Sequence, residues 1–417
     1  MLNKIMKRRE FFILILTAIL VILLYKCITD AVYNSIPMST NENINNKQVS
    51  SQQLFDNSWK AIGKKYIDKD LNSQNWNYWK KHYKGKIKTD EDAKVAIDTM
   101  IASLNDPYSR FLTRKEFEDQ FNSIDAHITG IGVNIINNSG KTVIHSVIEG
   151  TPAQKAGLKS NDIITEVDNK NINGMDLSAV ATLVRGPINS TVRLKIKRGN
   201  YYLIKTIKRE QIEIKSVESK INKNNIGYIK IKSFIGSNTA SDFVKALKYT
   251  SRTDGLIIDL RGNTGGLLSN AIVVANLFIN NGKIVSIVSR NGSKHDISAK
   301  SNLPVITKPT VVLVDETSAS ASEILSGALK DNHKAVLVGS KTYGKGLVQQ
   351  IVPLENGTGL NITIAKYLTP SGSDINKKGI EPDYNIPYSF AERRKHNDVQ
   401  LKKAETIVNN LVTNSNK

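Results

Sequence analysis

Two short apolar runs, Gly255-Leu256-Ile257-Ile258-Asp259-Leu260 and residues 309–314, each lead through a turn of small residues into a helical pattern, over residues 267–278 and 321–329. Runs this short, apolar at successive positions and bounded by turn residues, read as buried strands. Two strand, turn and helix units in a row argue an α/β core over residues 211–390.

The segments before this core have different periods. Over residues 54–121 the pattern is helical, with Leu54, Phe55, Trp59, Ile62 and Tyr66 at three- and four-residue spacing, and Val95, Ile97, Ile101 and Leu104 repeating it before an Asp106-Pro107 break. From 128 to 210 short strands take over, at residues 131–136, 142–148, 163–167, 192–196 and 203–207, with helices at 152–157 and 177–184. Five strands and two helices in so short a stretch make a compact, partly open barrel. Such a unit has an edge strand to which an extended peptide can add.

At the N-terminus, Lys4, Lys7, Arg8 and Arg9 precede a continuous apolar run over residues 11–24. That is the charged and apolar pattern of an export signal, short for a spanning helix, so a cleaved signal and a retained anchor both fit. Residues 34–52 are rich in Asn, Ser, Thr and Gln and read as a linker. The rest of the chain is expected to work outside the cytoplasm.

Composition narrows the chemistry. Of 58 basic residues 13 are Arg, the lysines are spread along the whole chain, and aromatics make up 6%, so the net charge of +20 does not form the Arg-rich, stacking surface of a nucleic-acid binder. Cys27 is the only cysteine, which excludes an intrachain disulfide and any Cys-rich metal site.

The two turns after the buried strands are where chemistry is expected. Arg261-Gly262-Asn263-Thr264-Gly265-Gly266 has no nucleophile, but its glycines let backbone amides approach a substrate, which suits an oxyanion hole. Thr317-Ser318-Ala319-Ser320-Ala321-Ser322-Glu323 presents three serines at a helix start, and Ser320 with Glu323 also fits a capping box. A serine nucleophile needs a base. There is no G-x-S-x-G elbow and no H-E-x-x-H, and no histidine is convincingly placed, which leaves a desolvated lysine. Lys345, between Gly344 and Gly346, is the candidate. The same segment, Gly339 to Lys345, fits seven positions of a phosphate-binding loop, but Gly346 stands where Ser or Thr should be and residues 347–354 read as strand, against a nucleotide site.

Taken in order, these pieces resemble the C-terminal processing peptidases, tail-specific serine endopeptidases with a PDZ domain and a Ser/Lys dyad. The match runs through Asn105-Asp106-Pro107-Tyr108-Ser109, Gly130-Ile131-Gly132-Val133, Thr151-Pro152-Ala153, Asp259-Leu260-Arg261, Gly265-Gly266-Leu267, the Ser320 segment, Tyr343-Gly344-Lys345-Gly346, Leu368-Thr369-Pro370-Ser371-Gly372 and Gly379-Ile380-Glu381-Pro382-Asp383. The resemblance implies a crotonase- or Clp-protease-like α/β core at 211–390 and a PDZ domain at 128–210. It also implies a helical region at 53–121 and a C-terminal helical tail at 391–417, beside the signal or anchor at residues 1–31 and the linker at 32–52 read from composition.

It further implies Ser320 as nucleophile, Lys345 as base and Gln349 as the residue orienting the lysine, with Ala321 and Gly265 or Gly266 as oxyanion donors. Gly130, Ile131, Gly132 and Val133 would hold a substrate's terminal carboxylate, and Arg185 would touch the substrate or the rim of the active site. Neither cofactor nor metal is implied. Expected partners are proteins or peptides with free C-termini, further copies of the chain, an adaptor protein, and the membrane through the N-terminal segment. A catalytically inactive PDZ scaffold is the alternative, and it predicts a broken Ser/Lys pair.

Overall fold

The computed structural model describes residues 48–124, 127–213, 215–300, 305–388 and 397–415. The apolar N-terminal run, Cys27 and most of the expected linker lie outside the described residues. The chain divides into two compact units: residues 122–215, and residues 1–121 with 216–417.

The larger unit is built on a six-stranded sheet in the order Val217–Ile221, Ile226–Ile231, Gly255–Asp259, Thr310–Val314, Val336–Gly339 and Tyr384–Asn385. All neighbours are parallel except the first pair. The two strands read from the sequence are its centre, buried at every position. Their alternate side chains serve two cores. Leu256, Ile258, Val312 and Val314 pack with residues of the helices Thr239–Tyr249, Leu268–Asn276 and Ala321–Asp331. Ile257, Val311 and Leu313 pack with Ala404, Ile407 and Val408 of the helix Val399–Ser415.

A second sheet joins Arg110–Leu112, Gly359–Leu368, Lys283–Ser289 and Lys294–Ser298 in that order, with Leu347–Pro353 also paired to Gly359–Leu368. Leu360 and Ile362 of this sheet share a core with Phe55, Ile62, Ile97 and Met100 of the N-terminal helices Ser51–Lys65 and Asp90–Ala102. The helical region therefore contributes a strand, Arg110–Leu112, to this second sheet before its helix Arg114–Ile124. One expected core residue is corrected: Val95 is 53% exposed. Ala93, Ala96, Ile97 and Met100 define the buried stripe, and at about 100° per residue Val95 falls on nearly the opposite face of the helix.

Residues 122–215 form a sheet in the order Val133–Asn138, Lys141–Val147, Ile163–Val167, Thr191–Arg198 and Tyr201–Lys208, with Lys170–Asn171 beside Ile163–Val167. Helices Pro152–Lys155 and Leu177–Val184 cover it, and Ile144, Ile164, Val180, Leu194 and Ile196 fill the core. The first strand begins at Val133 rather than at 131, because Gly132 turns the chain at φ +86°, where a Cβ would collide with the Thr151 side chain.

Candidate active site

Ser320 sits where the strand Thr310–Val314 turns into the helix Ala321–Asp331. Its φ of 55° and ψ of −114° are a conformation that non-glycine residues avoid at about 1–3 kcal/mol. No G-x-S-x-G sequence announces it, yet this is the backbone of a strained strand-to-helix turn that projects a serine side chain. Buried Asp315 fixes the approach by accepting from Thr317 N, Ser318 N and Gly262 N.

The glycine-rich turn closes against this serine. A Cβ added at Gly265 would lie 2.6 Å from Ala319 O, 2.9 Å from Ser320 Cβ and 3.0 Å from Ala321 N, so only glycine fits. Fully buried Asn263 ties the two turns together: its carbonyl accepts from Ala319 N (3.1 Å) and Ser322 Oγ (2.9 Å), and its Oδ1 accepts from Gly265 N (2.9 Å). Among the described residues, the N–H groups of Ala321 and Gly266 find no acceptor.

Lys345 arrives from the loop after Val336–Gly339. Cβ atoms at Gly344 and Gly346 would strike the backbone of residues 375–379, at 2.8 Å from Gly379 N and 2.7 Å from Asn376 N, which explains the glycine on each side of the lysine. The half-buried Lys345 places Nζ 4.8 Å from the centroid of the Tyr108 ring. Burial pulls its pKa below the ordinary 10.5, against the opposing negative charges of Asp106 and Glu323. Tyr108 is pushed up to about 12 by burial and by its hydrogen bond with Tyr343, so it stays protonated while the lysine titrates. Asp106 shapes this wall by accepting from Tyr108 N (3.0 Å) and Ser109 Oγ (2.6 Å).

Gln349 lies on the strand Leu347–Pro353 and donates to Thr363 Oγ1 (3.4 Å); among the described residues no hydrogen bond joins it to Lys345. In the other unit, Ile131 and Gly132 present backbone N–H groups with no acceptor among the described residues, while their carbonyls accept from Ala153 N and Ile148 N. Val133 opens the edge strand of that sheet. Arg185 is exposed just past Leu177–Val184, its guanidinium without a partner among the described residues. No group of three or more His, Cys, Asp or Glu suited to a metal occurs among the described residues.

Two residues at the centre of the site carry no functional reading in the sequence. Glu323, fully buried, accepts from Ser320 N (2.9 Å), Lys345 N (2.9 Å), Gly344 N (2.7 Å) and Thr342 Oγ1 (2.6 Å). Tyr367 directs its hydroxyl at the carbonyls of Lys345 (2.5 Å) and Ser320 (3.2 Å). The signal for Glu323 was its spacing from Ser320, which also fits a cap; no periodicity singles out Tyr367.

The family described as Peptidase family S41 matches residues 225–386, and the PDZ domain family matches residues 143–198. A carboxyl-terminal-processing protease of a Picosynechococcus species is 36% identical over 348 residues, covering 81% of this chain and 83% of that one. The chain belongs to the carboxyl-terminal-processing proteases. A second member, the carboxy-terminal processing protease CtpA of Bacillus subtilis, is 40% identical over 322 residues, 73% of this chain and 68% of its own. Among solved structures, a photosystem II D1 C-terminal processing protease matches with a TM-score of 0.55 and 32% identity, over 81% of this chain and 94% of that one. As a carboxyl-terminal-processing protease, this chain is a serine peptidase carrying a PDZ domain, and the inactive-scaffold and nucleotide-binding alternatives fall away. Leu347–Pro353 is indeed a strand, so no helix stands behind the would-be phosphate loop.

Proposed function

We propose that Ser320 is the nucleophile and Lys345 the general base of this protease, with the N–H groups of Ala321 and Gly266 holding the oxyanion. The observation that carries the reading is the seating of the strained Ser320 against Gly265, beside two backbone amides left open, with a lysine of lowered pKa on a segment bonded to the same buried carboxylate. Gly266 is preferred over Gly265 as donor because the Gly265 N–H is already given to Asn263 Oδ1. Neutral Lys345 takes the Ser320 hydroxyl proton as Oγ attacks the substrate carbonyl, and negative charge gathers on the carbonyl oxygen facing the amides. The lysine then protonates the leaving amine, and water, deprotonated by the same lysine, hydrolyses the acyl-enzyme. Gln349 supports the strand that follows the lysine, through Thr363.

The PDZ unit binds the substrate's C-terminal tail, its carboxylate at the Ile131 and Gly132 amides and its backbone along Val133–Asn138. The catalytic part acts outside the cytoplasm, directed there by the basic and apolar N-terminal segment. Tail recognition is tested with one peptide made with a free and an amidated C-terminus. Charge-assisted hydrogen bonds contribute about 1.5–3 kcal/mol, so the free end should bind roughly 10- to 150-fold more tightly. Equal affinities and cleavage rates would rule tail recognition out.

A further inference from the structure

We propose that Glu323 and Tyr367 are positioning residues that hold the Ser320 and Lys345 segments in catalytic register, Glu323 by taking both backbone N–H groups and Tyr367 by donating its single hydroxyl proton to the Lys345 carbonyl while sharing it with the Ser320 carbonyl. The proposal rests on the Ser320 and Lys345 assignment above.

The two clasps are complementary. Ser320 N and Lys345 N both donate to Glu323 Oε2, each at 2.9 Å, and Ser320 O and Lys345 O both face the Tyr367 hydroxyl. The two N–H groups thereby share one carboxylate oxygen and the two carbonyls face one hydroxyl, with Ser320 O also held by Glu323 N and Ile324 N of its own helix. The other carboxylate oxygen, Oε1, is held by Thr342 Oγ1 and Gly344 N, so the carboxylate cannot turn without breaking bonds to the lysine segment. Only an ionised carboxylate, which accepts and does not donate, suits four surrounding donors.

The clasps come from separate elements: Glu323 from the first turn of Ala321–Asp331, and Tyr367 from Gly359–Leu368 in the second sheet. Both side chains are buried, at 0% and 1% exposure, where hydrogen-bonded geometry is stiff and an unmade bond is costly. Two loops with unrelated paths are in this way set at one spacing. A displacement of about 1 Å in such a pair costs roughly a hundredfold in rate.

Glu323 differs from Tyr367 in carrying charge. The charged and titratable groups around the Lys345 amine are Asp106 and Tyr108 from the turn after the helix Asp90–Ala102, Glu323 from Ala321–Asp331, and Tyr343, which bonds Tyr108. Asp106 and Glu323 both favour the charged amine. Removing the Glu323 charge therefore lets the amine lose its proton at lower pH, whereas removing the Tyr367 hydroxyl removes no charge.

The test measures kcat and KM against pH for the full chain on one peptide, with Glu323→Gln, Tyr367→Phe, Ser320→Ala and Lys345→Ala side by side, and thermal melts to confirm folding. Both clasp variants should lose about a hundredfold in kcat with KM unchanged. The rising limb of the pH profile should move to lower pH in Glu323→Gln and stay in place in Tyr367→Phe. Wild-type kcat in either folded variant, or an unmoved limb in Glu323→Gln, would overturn the proposal. Should Glu323→Gln fail to fold, Tyr367→Phe decides by its kcat alone. Activity surviving in Ser320→Ala or Lys345→Ala would instead overturn the assignment on which the proposal rests.

Discussion

With Lys345 as the proposed base, its pKa sets the pH at which this protease works. Burial lowers its pKa, and a base must be neutral to accept the serine proton, so activity should rise with pH along a limb placed below the ordinary lysine value of 10.5. The phenols beside it do not supply that limb: Tyr108 is pushed up to about 12 and the buried Tyr367 is raised well above its usual 10.0. Lys345→Arg should be inactive at every pH, because guanidinium is not deprotonated in a protein. A pH-rate profile of that variant checks the assignment, and hydrolysis within tenfold of wild type would remove Lys345 from the role. At this scale the sequence was partly legible. The glycines around Lys345 and the small residues around Ser320 pointed to close backbone approach, but the bonds of Glu323 to Thr342, Gly344 and Lys345 depend on a separate loop of the chain, and the stacking of Lys345 on Tyr108 on a segment far away in sequence, which local pattern does not encode.

Among the elements, the two turns that follow the central strands carry the site, and their strands were readable because burial on both faces leaves an uninterrupted apolar run. The antiparallel strands Lys283–Ser289, Lys294–Ser298 and Gly359–Leu368 were not singled out. Lys294–Ser298 buries a single residue, Ile297, and Gly359–Leu368 mixes Asn, Thr and Lys with its apolar positions, so neither makes a clean run. The turn 261–266 makes a sharp prediction at this scale. Gly265→Ala forces a Cβ against Ala319 O and Ser320 Cβ at a φ of +101°, and should lower kcat by about a hundredfold with about 1–3 kcal/mol lost in stability. Gly262→Ala, in the same turn but with nothing within 4 Å of its Cβ, should keep kcat and lose only roughly 1–2 kcal/mol from its positive φ. Kinetics and thermal melts of the two variants compare them, and equal kcat values would mean that the Gly265 contact with Ser320 is irrelevant to catalysis.

For the whole molecule, the division of labour follows from two units with separate cores, one presenting an edge strand with open amides and the other the strained serine. The C-terminal helix Val399–Ser415 spends Ala404, Ile407 and Val408 on the chain's own sheet. Partly buried Arg261 fastens the start of that helix to the glycine-rich turn through Asp259 and Asp398, bonded at 2.7 and 2.8 Å. The N-terminal run should carry the catalytic part across the membrane, so protease added to intact spheroplasts should digest it; full protection while outer markers are digested would place it in the cytoplasm. Ser320's role in cutting peptide bonds is tested by incubating an unfolded protein with the full chain in detergent, wild type or Ser320→Ala, and reading fragment masses over time. Wild type should give discrete fragments and the variant none; the same fragments at the wild-type rate from Ser320→Ala would mean that Ser320 does not cut the bond.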